Sequence, residues 1–247
     1  MTVVIDSFPS RNGIRFGDCA VVAVDVIRAS TTAVTALASG RKCFPVTSVE
    51  EAFQMRQKFP DCLLAGEVAG LQPEGFDLNN SPARLALRSD RERPLVLLSS
   101  SGTKLMVESG ASAMAAFVAC LRNYKAVAAH IAGRYERVAV LGAATRGEFR
   151  EEDQFCCARI AAELIRLGHQ AEDQKTLELI YRWRKSPVLA CAEGNSAAYL
   201  RRSGQVDDLN FILSHVNDVP TAFRIVDGEI IPVVSAREAA VPDRVAA

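Results

Sequence analysis

The sequence predicts an α/β fold: a three-layer α/β/α arrangement around a mostly parallel, partly mixed sheet. Three observations predict it. Short apolar runs alternate with stretches of helical period along most of the chain. The chain has 247 residues and is 49% hydrophobic, enough for one large α/β domain over 1–247 or for two α/β lobes. One hairpin signal, Asp227-Gly228, closes the sequence and adds antiparallel character.

The elements follow in order. Residues 21–26 (VVAVDV) read as a buried strand, and Ser30 as the cap of a helix ending near Gly40. Residues 43–47 form the next strand, and Ser48 with Glu51 has capping-box spacing ahead of a helix through Phe59. Residues 62–66 are a third strand. Residues 70–82 hold two Gly, two Pro and two Asn, the composition of a long loop. Residues 94–99 run as a strand into SSSGTK and a short helix, and 113–117 is a strand followed by a helix over 119–133. The strand 137–142 leads through AATRGEF into a helix over 151–167. The remainder reads as helical up to a hairpin of 221–226 and 229–234, expected at a sheet edge, and residues after 237 as a frayed tail.

Composition excludes several classes. Lys+Arg and Asp+Glu balance at 29 each, without the basic excess of a nucleic-acid-binding chain. No apolar run has the ~18 residues of a membrane span, and residues 1–13 lack the basic and apolar regions of a signal peptide. A cytoplasmic location is expected. The seven cysteines are odd in number and scattered, so they read as small buried apolar residues. A homo-oligomer would be ordinary for such a chain, and nothing in the sequence decides it.

Ligands of open α/β sheets bind beyond the carboxyl ends of the strands, and four polar clusters fall there. Asp25, Arg28, Ser30, Thr31 and Thr32 join a carboxylate, a guanidinium fork and a hydroxyl-rich helix start; the same residues would also serve as a cap and a local ion pair. Glu67, Glu74, Asp77, Asn80 and Ser81 offer hard oxygens suited to Mg²⁺, or a solvated acidic loop. Ser101, Gly102 and Thr103 lie in a glycine-containing turn able to cradle an anion, though not a Walker A loop. Thr145, Arg146 and Asp153 place an arginine and acids around another helix start, where acids also complement the helix dipole. Together they describe a phosphate-plus-metal site, because phosphoryl transfer needs positioned positive charge and a metal.

Common phosphatase designs are absent. No cysteine has an arginine six residues later, and Asp25 lacks an Asp two residues on. His130, His169 and His215 are scattered without ligand spacing, and Trp183 reads as a packing residue.

In this order and spacing the clusters resemble the 2-phosphosulfolactate phosphatase family. The matching segments are Asp25 to Thr32, Gly66-Glu67, Glu74 to Pro82, Gly102-Thr103 and Thr145-Arg146-Gly147 with acids after it, joined by Ser196-Ala197 and Asp207-Asp208. Ser101 and Ala144 stand where the family usually has Asn and Gly. The resemblance implies Mg²⁺-dependent hydrolysis of 2-phospho-3-sulfolactate, a step of coenzyme M biosynthesis in methanogens with homologues in bacteria that make none. It implies Asp25, Arg28, Glu67, Arg146 and Asp153 as catalytic residues. Ser30, Thr31, Thr32, Asn80, Ser81, Ser101, Gly102, Thr103 and Thr145 would bind substrate. Metal ligands would come from Asp25, Glu67, Glu74 and Asp77, with Asp153 or Glu67 handling the proton. Two alternatives stay open: a phosphatase for another 2-phospho-hydroxy acid, and a non-catalytic module that binds anionic metabolites.

Overall fold

The computed structural model describes residues 1–8, 16–144 and 147–233. The strands are β1 (Thr2–Phe8), β2 (Ala20–Val24), β3 (Cys43–Val46), β4 (Leu63–Gly66), β5 (Leu95–Leu98), β6 (Ala115–Ala119), β7 (Arg137–Ala143), β8 (Gln170–Ala171), β9 (Phe223–Val226) and β10 (Glu229–Pro232). The helices are α1 (Ala29–Ala38), α2 (Val49–Lys58), α3 (Pro82–Ala86), α4 (Gly102–Ser112), α5 (Tyr124–Ile131), α6 (Glu151–Arg166), α7 (Gln174–Trp183), α8 (Asn195–Arg202) and α9 (Val206–Ser214).

The ten strands among the described residues join one sheet in the order β4-β5-β3-β10-β9-β6-β2-β7-β1-β8. Pairing is parallel within β4-β5-β3 and within β6-β2-β7-β1-β8. The hairpin β9-β10 is antiparallel to both neighbours. The expected mixed edge is therefore a mixed centre: the C-terminal hairpin couples two parallel blocks instead of lining a rim. Its turn uses Asp227 and Gly228, both at positive φ as a two-residue type I′ connection requires. Three elements lie beyond the sequence expectation, among them the two-residue strand β8 in a stretch expected to be helical. Strand β1, seven residues and largely buried, pairs with β7 along its whole length, and Pro82 opens the short helix α3 at the end of the loop.

The blocks run in opposite senses, yet the carboxyl ends of β2, β4, β5 and β7 meet. From β5 to β2 the sheet takes five strand steps, and a twist of roughly 20–25° per step turns one block by about 100–125° against the other. The sheet thereby wraps around α1 and α4. Residues 29–36 of α1 are all buried, and the hydroxyls of Ser30, Thr31, Thr32 and Thr35 among them each find a hydrogen-bond partner. One core combines Val34 of α1 and Leu105 of α4 with Val21 and Leu97 from the two blocks. A second core lies under α5, α6 and α7 against the five-strand block, and a third under α2 against the other. These give the expected three layers.

Local signals explain the framing of the loops. Ser48 caps α2, its Oγ accepting from Glu51 N at 3.1 Å. Ser30 does not cap α1: it lies inside the helix, and its Oγ accepts from Asp25 N at 2.9 Å. That bond ties the end of β2 to the first turn of α1.

Candidate active site

A cleft of about 690 Å³ opens over these strand ends. Asp25, Glu67, Ser100 and Ser101 line it from β2, β4 and β5, and Arg28 from the start of α1. Arg150, before α6, and one face of α8 line it from the other side, with Asn80 from the loop before α3.

Asp25 is buried beside Gly102, where α4 starts without a side chain to obstruct it. Burial pushes its carboxyl group up to about 7; Glu67 and Glu152 add to the rise, while the Ala29 N–H and Arg28 oppose it. Glu67 is fixed by three donors: Ser100 N at 2.7 Å, Ser100 Oγ at 2.9 Å and Gly70 N at 2.6 Å. Asp153 sits behind Asp25 and does not line the cleft, its Oδ1 accepting from Val26 N at 2.8 Å. Burial, then the charges of Asp25 and Glu152, raise its carboxyl well above the ordinary range. Gly142 allows this, since a Cβ there would meet Phe149 at 2.2 Å and the Asp153 Cβ at 3.1 Å. Glu152 is also buried and raised by that burial, and its Oε2 has no hydrogen-bond partner among the described residues. An acid in the first turn of a helix reads from sequence as a solvated dipole partner; here the turn faces inward.

Arg28 is buried and oriented from three sides. Nη1 donates to Asp208 Oδ2 at 2.8 Å and to Gln205 Oε1 at 2.5 Å, and Nη2 to Asn79 Oδ1 at 3.2 Å. Asp208 also accepts from Ser81 Oγ at 2.6 Å and Ala83 N at 3.1 Å. Asn80 lines the cleft and accepts from Thr32 Oγ1 at 2.7 Å. The loop 79–81 thus carries the arginine and the first turn of α1.

Several expected contacts are spent elsewhere. Thr31 Oγ1 donates to Val26 O at 2.8 Å, and Thr103 exchanges bonds with Ser99, each 2.9 Å. The hydroxyls of Ser30, Thr31, Thr32, Ser81 and Thr103 brace the backbone under the cleft and do not line it. Glu74 and Asp77, expected among the metal ligands, are not brought there. Asp77 is held by Arg56 at 2.5 Å and accepts from Leu64 N at 2.9 Å, while Glu74 is exposed on the loop. Thr145 and Arg146 lie outside the described residues. Sequence reasoning missed Arg150, Glu152, Gln205 and Arg202 as site-forming residues; Ser196 and Asp208 stood in matching segments without a role.

Donor chemistry decides whether a divalent cation fits. No three His, Cys, Asp or Glu residues converge on a metal position among the described residues. Asp25 and Glu67 do share the cleft, and the charge of Glu67 raises the proton affinity of Asp25. Two carboxylates completed by substrate phosphate and water match the binding habit of Mg²⁺.

A sheet flanked by helices, with clustered carboxylates and three arginines on one cleft among the described residues, makes this an α/β enzyme framework for acidic substrates. The family model described as 2-phosphosulpholactate phosphatase matches residues 9–222, and the chain belongs to that family. A Deinococcus radiodurans protein named probable 2-phosphosulfolactate phosphatase is 33% identical over 238 residues, covering 94% of this chain and 96% of its own. Proteins of the same name are similar at 30% over 200 residues in Caldanaerobacter subterraneus (78% of this chain, 83% of that one) and at 28% over 226 residues in Clostridium perfringens (89% and 90%).

Proposed function

We propose that this chain is a Mg²⁺-dependent phosphatase that hydrolyses 2-phospho-3-sulfolactate to 3-sulfolactate and phosphate. The observation that carries the reading is the juxtaposition, on one cleft, of the Asp25–Glu67 carboxylates with the oriented guanidinium of Arg28. The family and the names of the relatives supply the substrate.

Asp25 and Glu67 would hold Mg²⁺, which when bound supplies a Lewis acid for a phosphate oxygen. Arg28 stands ready to neutralise the transferring group, its planar fork fixed by Asp208, Gln205 and Asn79. Ser101 offers a hydroxyl at the mouth of α4, while that of Ser100 is held by Glu67. Asp153 is buried behind Asp25, where burial and then the charges of Asp25 and Glu152 raise its proton affinity. In the net reaction water adds to phosphorus, the P–O bond to C2 breaks, and the proton of the water ends on the released hydroxyl oxygen.

All seven cysteines are free and buried, which supports the expected cytoplasmic setting. No helix among the described residues is long and apolar enough to cross a membrane.

Phosphate release from 2-phospho-3-sulfolactate, with Mg²⁺ and with EDTA, beside 2-phospholactate and 3-phosphoglycerate, tests the proposal. Mg²⁺-dependent turnover favouring the sulfonate supports it. Preference for a carboxylate analogue moves it to another 2-phospho-hydroxy acid. No release from any of them leaves the binding-module reading in its place.

A further inference from the structure

The cleft is lined by three arginines among the described residues, and they are not equivalent. Arg28 is buried and paired with Asp208 at 2.8 Å. Arg150 pairs with Glu148 at the rim. Arg202 is exposed to the cleft and has no hydrogen bond or ion pair among the described residues. Its neighbour Arg201 points back, donating to Ala192 O at 2.7 Å, so the two adjacent guanidinium groups have separate tasks.

The position of Arg202 follows from helical spacing. Asn195, Tyr199 and Arg202 stand at i, i+4 and i+7 of α8 and line the cleft as one stripe. Leu200 on the same helix packs into a small core with Ala197 and Leu209, which fixes the rotation of α8. Tyr199 Oη donates to Gly70 O at 3.1 Å, joining α8 to the loop that follows Glu67. Seven residues of helix place Arg202 about 10 Å along α8 from Asn195. Helical side chains tilt toward the N-terminus, so the long Arg202 side chain leans back over the stripe.

We infer that Arg202 is the specificity-determining residue for the acid group of the substrate farthest from the phosphate. This rests on the proposed function and deepens it. In 2-phospho-3-sulfolactate the sulfur lies four bonds from phosphorus, one more than the carboxylate carbon. With Arg28 held at the phosphate end by its three partners, the unpaired guanidinium of Arg202 meets the sulfonate. Its bidentate fork suits a three-oxygen anion better than an ammonium does.

The measurement is the ratio of kcat/KM for 2-phospho-3-sulfolactate to that for 2-phospholactate, which carries a methyl group in place of the sulfonate arm. Arg202→Ala is expected to lower this ratio at least tenfold, through KM, and Arg202→Lys to recover part of it. Because Arg202 is exposed, both variants should fold, and their melting temperatures check this. A wild-type chain that turns over the sulfonate substrate, with a ratio unchanged within twofold in Arg202→Ala, overturns the inference alone. A wild-type chain that releases no phosphate from either compound overturns the proposed function and this inference together.

Discussion

Asp25 and Gly102 face each other so closely that a Cβ on Gly102 would lie 2.0 Å from Asp25 Oδ2 and 2.8 Å from the Cβ of Ala29. No backbone freedom is at issue here; what the glycine supplies is room for a carboxylate. Gly102→Ala must displace Asp25, and displacements near 1 Å cost about 100-fold in rate. Phosphate release by the variant should fall by about that factor, with a lowered melting temperature. Activity within threefold of wild type would show that Asp25 has slack to move.

The Arg28–Asp208 pair predicts a stability effect. Both side chains are 4% exposed. Removing one partner leaves a buried charge uncompensated, at a cost of roughly 3–5 kcal/mol. Asp208→Asn should show a loss of that size in urea unfolding, together with impaired turnover. A loss below about 1 kcal/mol would mean that Gln205 and Asn79 suffice to hold Arg28.

Acidity should show itself in metal-free protein. The Asp25 carboxyl is pushed up to about 7 in the folded state, while an unfolded Asp titrates near about 4. The folded state therefore binds more protons between those values, and stability falls as pH rises through that window. Asp25→Asn removes the penalty. In EDTA, its melting temperature relative to wild type should rise by roughly 3–10 °C between pH 5 and pH 8, equivalent to about 1–3 kcal/mol. A difference independent of pH would place the buried charge elsewhere.

Metal dependence separates the carboxylates near the cleft from those on the loop. If Asp25 and Glu67 hold Mg²⁺ as proposed, Glu67→Gln is expected to raise the half-saturating Mg²⁺ concentration about tenfold. Glu74→Gln should leave that concentration unchanged, because Glu74 is exposed and does not line the cleft. Titration of phosphate release with Mg²⁺ distinguishes the pair, and the reverse pattern would relocate the metal to the loop.

The parts of the molecule legible in the sequence are those written locally. The apolar run of β2, the Ser48–Glu51 cap and the Asp227-Gly228 turn each depend on residues a few positions apart, and each stands in the structure. Strand β1 carries a local signal in the β-branched run Thr2–Ile5, but its partner β7 stands well over a hundred residues away, a pairing that no local pattern shows. The site divides in the same way. Asp25, Arg28 and Glu67 line the cleft because they end strands or begin a helix. The fate of Asp77 depends on Arg56, and that of Glu152 on which face of α6 turns inward, neither of which a motif encodes. The stripe Asn195, Tyr199 and Arg202 was present in the sequence as spacing, but only the docking of α8 gives that spacing a cleft to face.

The central place of the β9-β10 hairpin also orders events in time. Residues 223–232 leave the ribosome after every other strand among the described residues, yet they lie between β3 and β6. Until they arrive, each block carries an open sheet edge, and the edge of β6 bears buried Ala116, Phe117 and Val118. Unpaired apolar edges invite pairing with other chains. The nascent chain thus carries its greatest aggregation hazard until the last strands emerge, and a chain that stops short of Phe223 keeps that hazard permanently.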